Sequence, residues 1–289
     1  MSSPNKRDVI ETLSGRAASD GDGVKLTRIF GGVQPERFDP FLMLDEFGSD
    51  EAADYVGGFP SHPHRGFETV TYMLDGRMLH EDHLGNRGLL EPGGVQWMTA
   101  GRGIIHSEMP QQDSGRMRGF QLWLNLPADE KMQPAAYRDL QPGEVPFVTL
   151  ASGGKVKVIA GSPTLEGRTL SGAVTGKTTR PLYLDVLLQP GERLDLPVAD
   201  ELNVLLYCYE GAVQVDGNKS QTRLQKAQLG RLGSGDVVQL TTGEEGSKFL
   251  VIAGKPLREP IVQYGPFVMN RREEIEQALS DFREGRFGQ

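Results

Sequence analysis

Residues 60–108 read PSHPHRGFETVTYMLDGRMLHEDHLGNRGLLEPGGVQWMTAGRGIIHSE, and all 5 histidines of the 289-residue chain fall inside this stretch. Phe67 to Leu74 is rich in β-branched and aromatic residues and reads as a strand. Asp75-Gly76 reads as a hairpin turn and Arg77 to His83 as its return strand. Val95 to Thr99 and Ile104 to Met109 are further short strands, separated by Gly-rich bends. No helical periodicity lies between them. This pattern predicts an antiparallel sandwich or barrel rather than an α/β fold.

Outward from this stretch the rhythm continues. Residues 25–30 and 120–126 read as strands, and later strands are expected at 147–150, 155–160 and 182–188. Asp45 to Gly58 reads as an acidic, solvated loop whose spacing matches no calcium loop. Tyr72 to Met78 is echoed by Tyr207 to Val213, and Pro92 to Val95 by Gly233 to Val237. The echo predicts two related β domains, 1–135 and 136–289. In the second copy Pro197, Ala199 and Asn203 stand opposite His62, His64 and Glu68. The second domain is therefore expected to lack a metal site. The tail reads as one helix, started by Asn270 and Glu273 in a capping box, with Ile275, Ala278, Leu279 and Phe282 on one face. The fold class expected is all-β, with two antiparallel β-barrel or sandwich domains and a C-terminal helix.

Composition narrows the partners. The formal net charge is -8, which argues against direct DNA binding. The single cysteine, Cys208, permits no intrachain disulfide and sits in an apolar run, as a buried thiol would. No apolar stretch reaches membrane-spanning length, and the N-terminus carries no signal-peptide core, so a cytoplasmic protein is expected, and a monomer.

Alternate residues of a strand share a face. His62 with His64, and His106 with Glu108, are such pairs, and their meeting would give three nitrogen donors and one carboxylate. That set suits Fe, Ni, Cu, Co, Mn or Zn, and the lack of thiolates argues against a closed structural zinc site. Glu68 competes with Glu108 for the role of oxygen ligand. His80 and His83 lie on another strand near its turn and read as bystanders. Trp97 and Met98 read as core.

PSHPHRGFETVTYMLDGRMLHED followed by GLLEPGGVQWMTAGRGIIHSE resembles the pirin family of the cupin superfamily, as do DPFLMLDEF and the terminal PFVMN. The resemblance spans nearly the whole chain. It implies a bicupin with one non-haem metal, iron by preference, held in the N-terminal domain by His62, His64, His106 and Glu108. Within that resemblance Glu108 takes the ligand position over Glu68. It also implies a quercetin 2,3-dioxygenase-like activity, cleaving a flavonol heterocycle with O2 and releasing CO. Glu108 would serve as the base, with Glu68 as the alternative. The other reading implied is a metal-dependent regulator that acts through a protein partner. A substrate-sized cavity at the metal favours the enzyme, and a filled one favours the regulator.

Overall fold

The computed structural model describes residues 4–289. Contacts divide the chain into two compact units, each assembled from two segments. One joins Arg16–Glu144 to Leu257–Gln289; the other joins the segment ending at Gly15 to Val145–Pro256. A boundary at 135/136 keeps each domain continuous, whereas in the structure the two ends of the chain are exchanged. Strand Val9–Ser14 pairs with Gln228–Leu232 of the later unit, and strand Ala136–Leu140 pairs with Val95–Thr99 of the earlier one. The C-terminal segment likewise bridges back to the early chain, Phe267 to Arg65, and no local signal announces such distant partners.

The unit built on Arg16–Glu144 holds two larger antiparallel sheets and the two-stranded pair Val262–Tyr264 and Phe267–Met269. Seven strands run in the order Ala136–Leu140, Val95–Thr99, Phe67–Asp75, Met117–Asn125, Phe41–Ser49, Val24–Gly31, Arg16–Asp20. Four more run Phe59–His64, Ile104–Pro110, Met78–Asp82, Arg87–Leu90. The Asp75–Gly76 turn is therefore not a hairpin. Phe67–Asp75 pairs with Val95–Thr99 and Met117–Asn125, while Met78–Asp82 pairs with Ile104–Pro110 and Arg87–Leu90. The turn carries the chain from one sheet to the other, with Gly76 at φ +81° supplying the backbone freedom. The acidic stretch also differs from expectation. Asp45 and Glu46 lie within the strand Phe41–Ser49 and are paired to arginines: Arg28 to Asp45 at 2.7 Å and Arg118 to Glu46 at 2.6 Å.

The other unit is a nine-stranded antiparallel sheet around Asn203–Asp216 and Val237–Gly254. Its core of Leu, Val and Phe side chains is almost wholly buried, including Val204, Leu206, Phe249 and Val251. Each such side chain contributes roughly 1.5–3 kcal/mol. The repeat seen in the sequence is visible in the backbone: Gly211, opposite Gly76, also has positive φ, at +69°. There the strand stays continuous and takes up the bend as bulges around Glu210 and Gly211. Cys208 is fully buried, and burial raises its thiol pKa, as expected of an inert thiol.

The single α-helix among the described residues, Arg272–Arg283, packs Ile275 and Ala278 against Phe267, Met269 and Phe287. Its cap uses Glu274 rather than Glu273: that carboxylate accepts from the backbone N–H groups of Asn270 and Arg271, both at 3.0 Å. Asn270 instead donates its side-chain amide to Glu259 and the Pro260 carbonyl. Phe282 is 41% exposed and packs edge-on against Phe287, so the buried stripe is narrower than the spacing suggests. No helix is long and apolar enough to cross a membrane.

Candidate metal centre

Strand Phe59–His64 lies against Ile104–Pro110 with His62 directly opposite His106. This register converts two period-two pairs into one cluster. One ring nitrogen from each of His62, His64 and His106 lies within 4.8 Å of the others. The ring centroids are 4.3 Å apart for His62 and His106, and 4.9 Å for His64 and His106.

Each of the three rings has a hydrogen-bonding neighbour. His62 Nδ1 lies 2.8 Å from the Pro60 carbonyl oxygen, and the Pro266 carbonyl accepts a hydrogen bond from His64. His106 Nδ1 faces His80 Nδ1 at 3.2 Å. Two nitrogens of the buried rings, His64 Nδ1 and His106 Nε2, are enclosed without a hydrogen-bond partner among the described residues. Buried polar atoms normally find partners. Two orphaned imidazole nitrogens beside a third imidazole fit a cation that would complete them. Burial, and then the neighbouring imidazoles, push His64 and His106 well below the ordinary histidine range, which leaves them neutral with lone pairs available near neutral pH.

Glu108 is buried on the strand that carries His106, but its carboxylate lies outside the 4.8 Å group. Thr71 Oγ1 donates to Glu108 Oε1 at 2.9 Å, and Gln121 Nε2 donates to Oε2 at 3.0 Å. Trp123 Nε1 in turn donates to Gln121 Oε1 at 3.2 Å. Glu68 is also buried, yet it alternates with Phe67 and Thr71 along its strand. Phe67 touches His64 and Thr71 touches Glu108, whereas Glu68 accepts from Thr99 Oγ1 at 2.6 Å. The structure therefore does not bring Glu68 to the imidazole cluster. Trp97 and Met98 are buried away from the cavity described below, as core residues. His83 is exposed and accepts from the Ile105 N–H. His80, read as a bystander, is fully buried against His106.

A cavity of about 390 Å³ opens beside the cluster, within the range of small-molecule sites. His62, His64, Gln121 and Trp123 line it at the imidazole end, with Met43, Phe47 and Phe59 as apolar walls. Arg28 and Asp45 line it as well. Burial raises the Asp45 pKa against the pull of its Arg28 partner. Gln263, Gly265 and Pro266 of the C-terminal segment form another part of the wall.

Gln121 is the residue the sequence reading passed over. It was visible as a polar member of an apolar strand, on the same face as Trp123 and Asn125. Pro266 carries no comparable signal, because its contribution is a backbone carbonyl.

The pirin family model matches residues 23–124, and the model of the pirin C-terminal cupin domain matches residues 183–288. A Pseudomonas aeruginosa protein named "Putative quercetin 2,3-dioxygenase" is 59% identical over 279 residues, covering 96% of this chain and 97% of its own. A Caulobacter vibrioides "Pirin-like protein" is 48% identical, covering 97% of this chain and 99% of its own. The crystal structure of a quercetin 2,3-dioxygenase from Acinetobacter baumannii superposes with a TM-score of 0.88 at 34% identity, covering 98% of this chain and 99% of that one.

Proposed function

Because the chain belongs to the pirin family of bicupins, we propose that it is a metal-dependent dioxygenase that opens the heterocycle of a flavonol, with quercetin as the reference substrate. The observation that carries this reading is a cluster of three converging imidazoles, two of which, His62 and His64, line a cavity of about 390 Å³. A regulator acting through a protein partner does not need such a cavity, and the open space at the cluster favours the enzyme.

His62, His64 and His106 would hold the metal, with Glu108 as the carboxylate donor. Three imidazoles and a carboxylate suit iron, and also nickel, copper, cobalt, manganese or zinc. The bound metal would lower the pKa of a coordinated hydroxyl and give the oxidisable substrate access to dioxygen. The chain's residues do the rest. Met43, Phe47, Phe59 and Trp123 offer apolar surface to an aromatic body, and the Arg28–Asp45 pair offers hydrogen-bonding positions to its ring hydroxyls. Glu108, oriented by Thr71 and Gln121, would have to shift off the metal to take the proton of the flavonol 3-hydroxyl. The overall reaction consumes one flavonol and one O2 and yields a depside and CO. Enclosure by the cavity walls limits the access of water to the reacting ring.

The test is an aerobic assay of protein loaded in turn with Fe, Ni, Cu, Co and Mn. Quercetin absorbance and released CO are followed together. Stoichiometric CO with at least one metal is expected. Intact quercetin with all five sinks the assignment for this substrate.

A further inference from the structure

The three imidazoles are not held alike. His62 and His64 are each bonded to a backbone carbonyl, of Pro60 and Pro266. A carbonyl oxygen can only accept, so the proton must sit on the ring nitrogen that faces it, and the other nitrogen keeps its lone pair. His106 has no such constraint. Its Nδ1 faces the Nδ1 of a second imidazole, His80, at 3.2 Å, with ring centroids 4.8 Å apart. An imidazole nitrogen either donates or accepts, and one proton serves the contact. Two arrangements exist. In one, His106 Nδ1–H donates to His80 Nδ1, and His106 Nε2 presents a lone pair to the cluster. In the other, His80 donates, and His106 Nε2 carries a proton where a metal would bind. The partner of His106 therefore decides whether His106 can serve as a ligand.

The geometry points to His80 as a positioning residue for the metal centre: it accepts the Nδ1 proton of His106 and so turns the Nε2 lone pair of His106 toward His62 and His64. This inference rests on the metal reading given above. Strand register places the two rings together, since His80 stands opposite Glu108 and His106 opposite Asp82, which makes His80 and His106 diagonal neighbours on one face. His80 is fully buried, and its Nε2 has no hydrogen-bond partner among the described residues. A purely packing residue in that place would be served as well by an apolar ring. The assigned arrangement puts the one N–H proton of His80 on the enclosed Nε2. It leaves the His106 lone pair as the group that a cation would satisfy. The coupling runs both ways: a metal at His106 Nε2 selects the same proton position that His80 selects from behind. Groups that orient a ligating histidine in this way commonly set metal affinity by about 10- to 100-fold.

Two substitutions separate this role from packing. His80→Phe keeps a ring and removes the acceptor. His80→Asn removes the ring but leaves an amide oxygen close to the position of Nδ1. Nickel(II) affinity, measured by chelator competition, is expected to fall about 10- to 100-fold in His80→Phe and to stay within about threefold of the parent in His80→Asn. Equal affinity in the parent and His80→Phe, or equal losses in both variants, overturns the inference. A second measurement needs no variant. Two-bond 15N–1H spectra of the metal-free protein are expected to show His106 protonated on Nδ1 and His80 on Nε2; His106 protonated on Nε2 refutes the assignment. The metal reading fails separately, if the parent holds nickel no better than a His62→Ala/His106→Ala variant. In that case the ring spectra alone decide the role of His80.

Discussion

Lys131 offers the sharpest quantitative test of the unit that carries the imidazole cluster. Its ammonium is buried, 1% exposed, and donates to the Gly66 carbonyl at 2.7 Å, Asn125 Oδ1 at 2.5 Å and the Val268 carbonyl at 3.1 Å. Burial lowers its pKa to about 7, although Glu259 and Glu274 nearby act in the opposite direction. In the unfolded chain the same amine titrates at about 10.4. Between these values the unfolded state binds one proton more than the folded state, so stability rises with pH. Below about pH 7 both states are protonated and the contribution is flat. The limiting slope is about 1.4 kcal/mol per pH unit. Integration from pH 7, where the folded amine is half protonated, to pH 9 gives about 2 kcal/mol.

The perturbation is Lys131→Met, which removes the titration. Both tryptophans, Trp97 and Trp123, belong to the same unit as Lys131, so their fluorescence reports its unfolding in urea. The stability of the parent relative to Lys131→Met is expected to grow by about 2 kcal/mol between pH 7 and pH 9. Other titrations are common to both proteins and cancel. A difference that stays flat over this window, or that shrinks, refutes the reasoning.

Two further outcomes are expected. Glu108→Gln should lower flavonol turnover by about 100-fold or more, whereas Glu68→Gln, on the opposite pleat, should change it far less; steady-state kinetics on both variants with matched metal content checks the ordering. Gly66→Ala should cost at least about 2 kcal/mol, because Gly66 sits at φ +90° and a Cβ there would overlap the Val268 carbonyl, with urea unfolding followed by tryptophan fluorescence as the measurement.

The parts of this protein that obey a local rule were legible in the sequence. His62, His64 and His106 follow strand alternation, and the structure brings those three together. The missing histidines near Pro197 and Ala199 and the repeated Gly76/Gly211 bend are likewise local patterns. What failed to show depends on partners distant along the chain. Asp75-Gly76 looks the same whether the chain returns to its own sheet or crosses to another. Asp45 and Glu46 read as loop acids because Arg28 and Arg118 announce nothing about where they will lie. His80 looked idle because its contact with His106 is diagonal and depends on the register between two strands. The helix cap fell one residue later than expected, a shift within the ordinary imprecision of helix ends.

The exchange of chain ends has a consequence for the order of assembly. Gln263, Gly265 and Pro266 complete the cavity wall, and Pro266 supplies the carbonyl that fixes His64. During synthesis these residues leave the ribosome only after the whole of Val145–Pro256 has emerged. The histidines are made early, but the pocket that would use them closes late. A nascent chain stalled before residue 257 therefore carries its three imidazoles with one wall of their pocket still unmade.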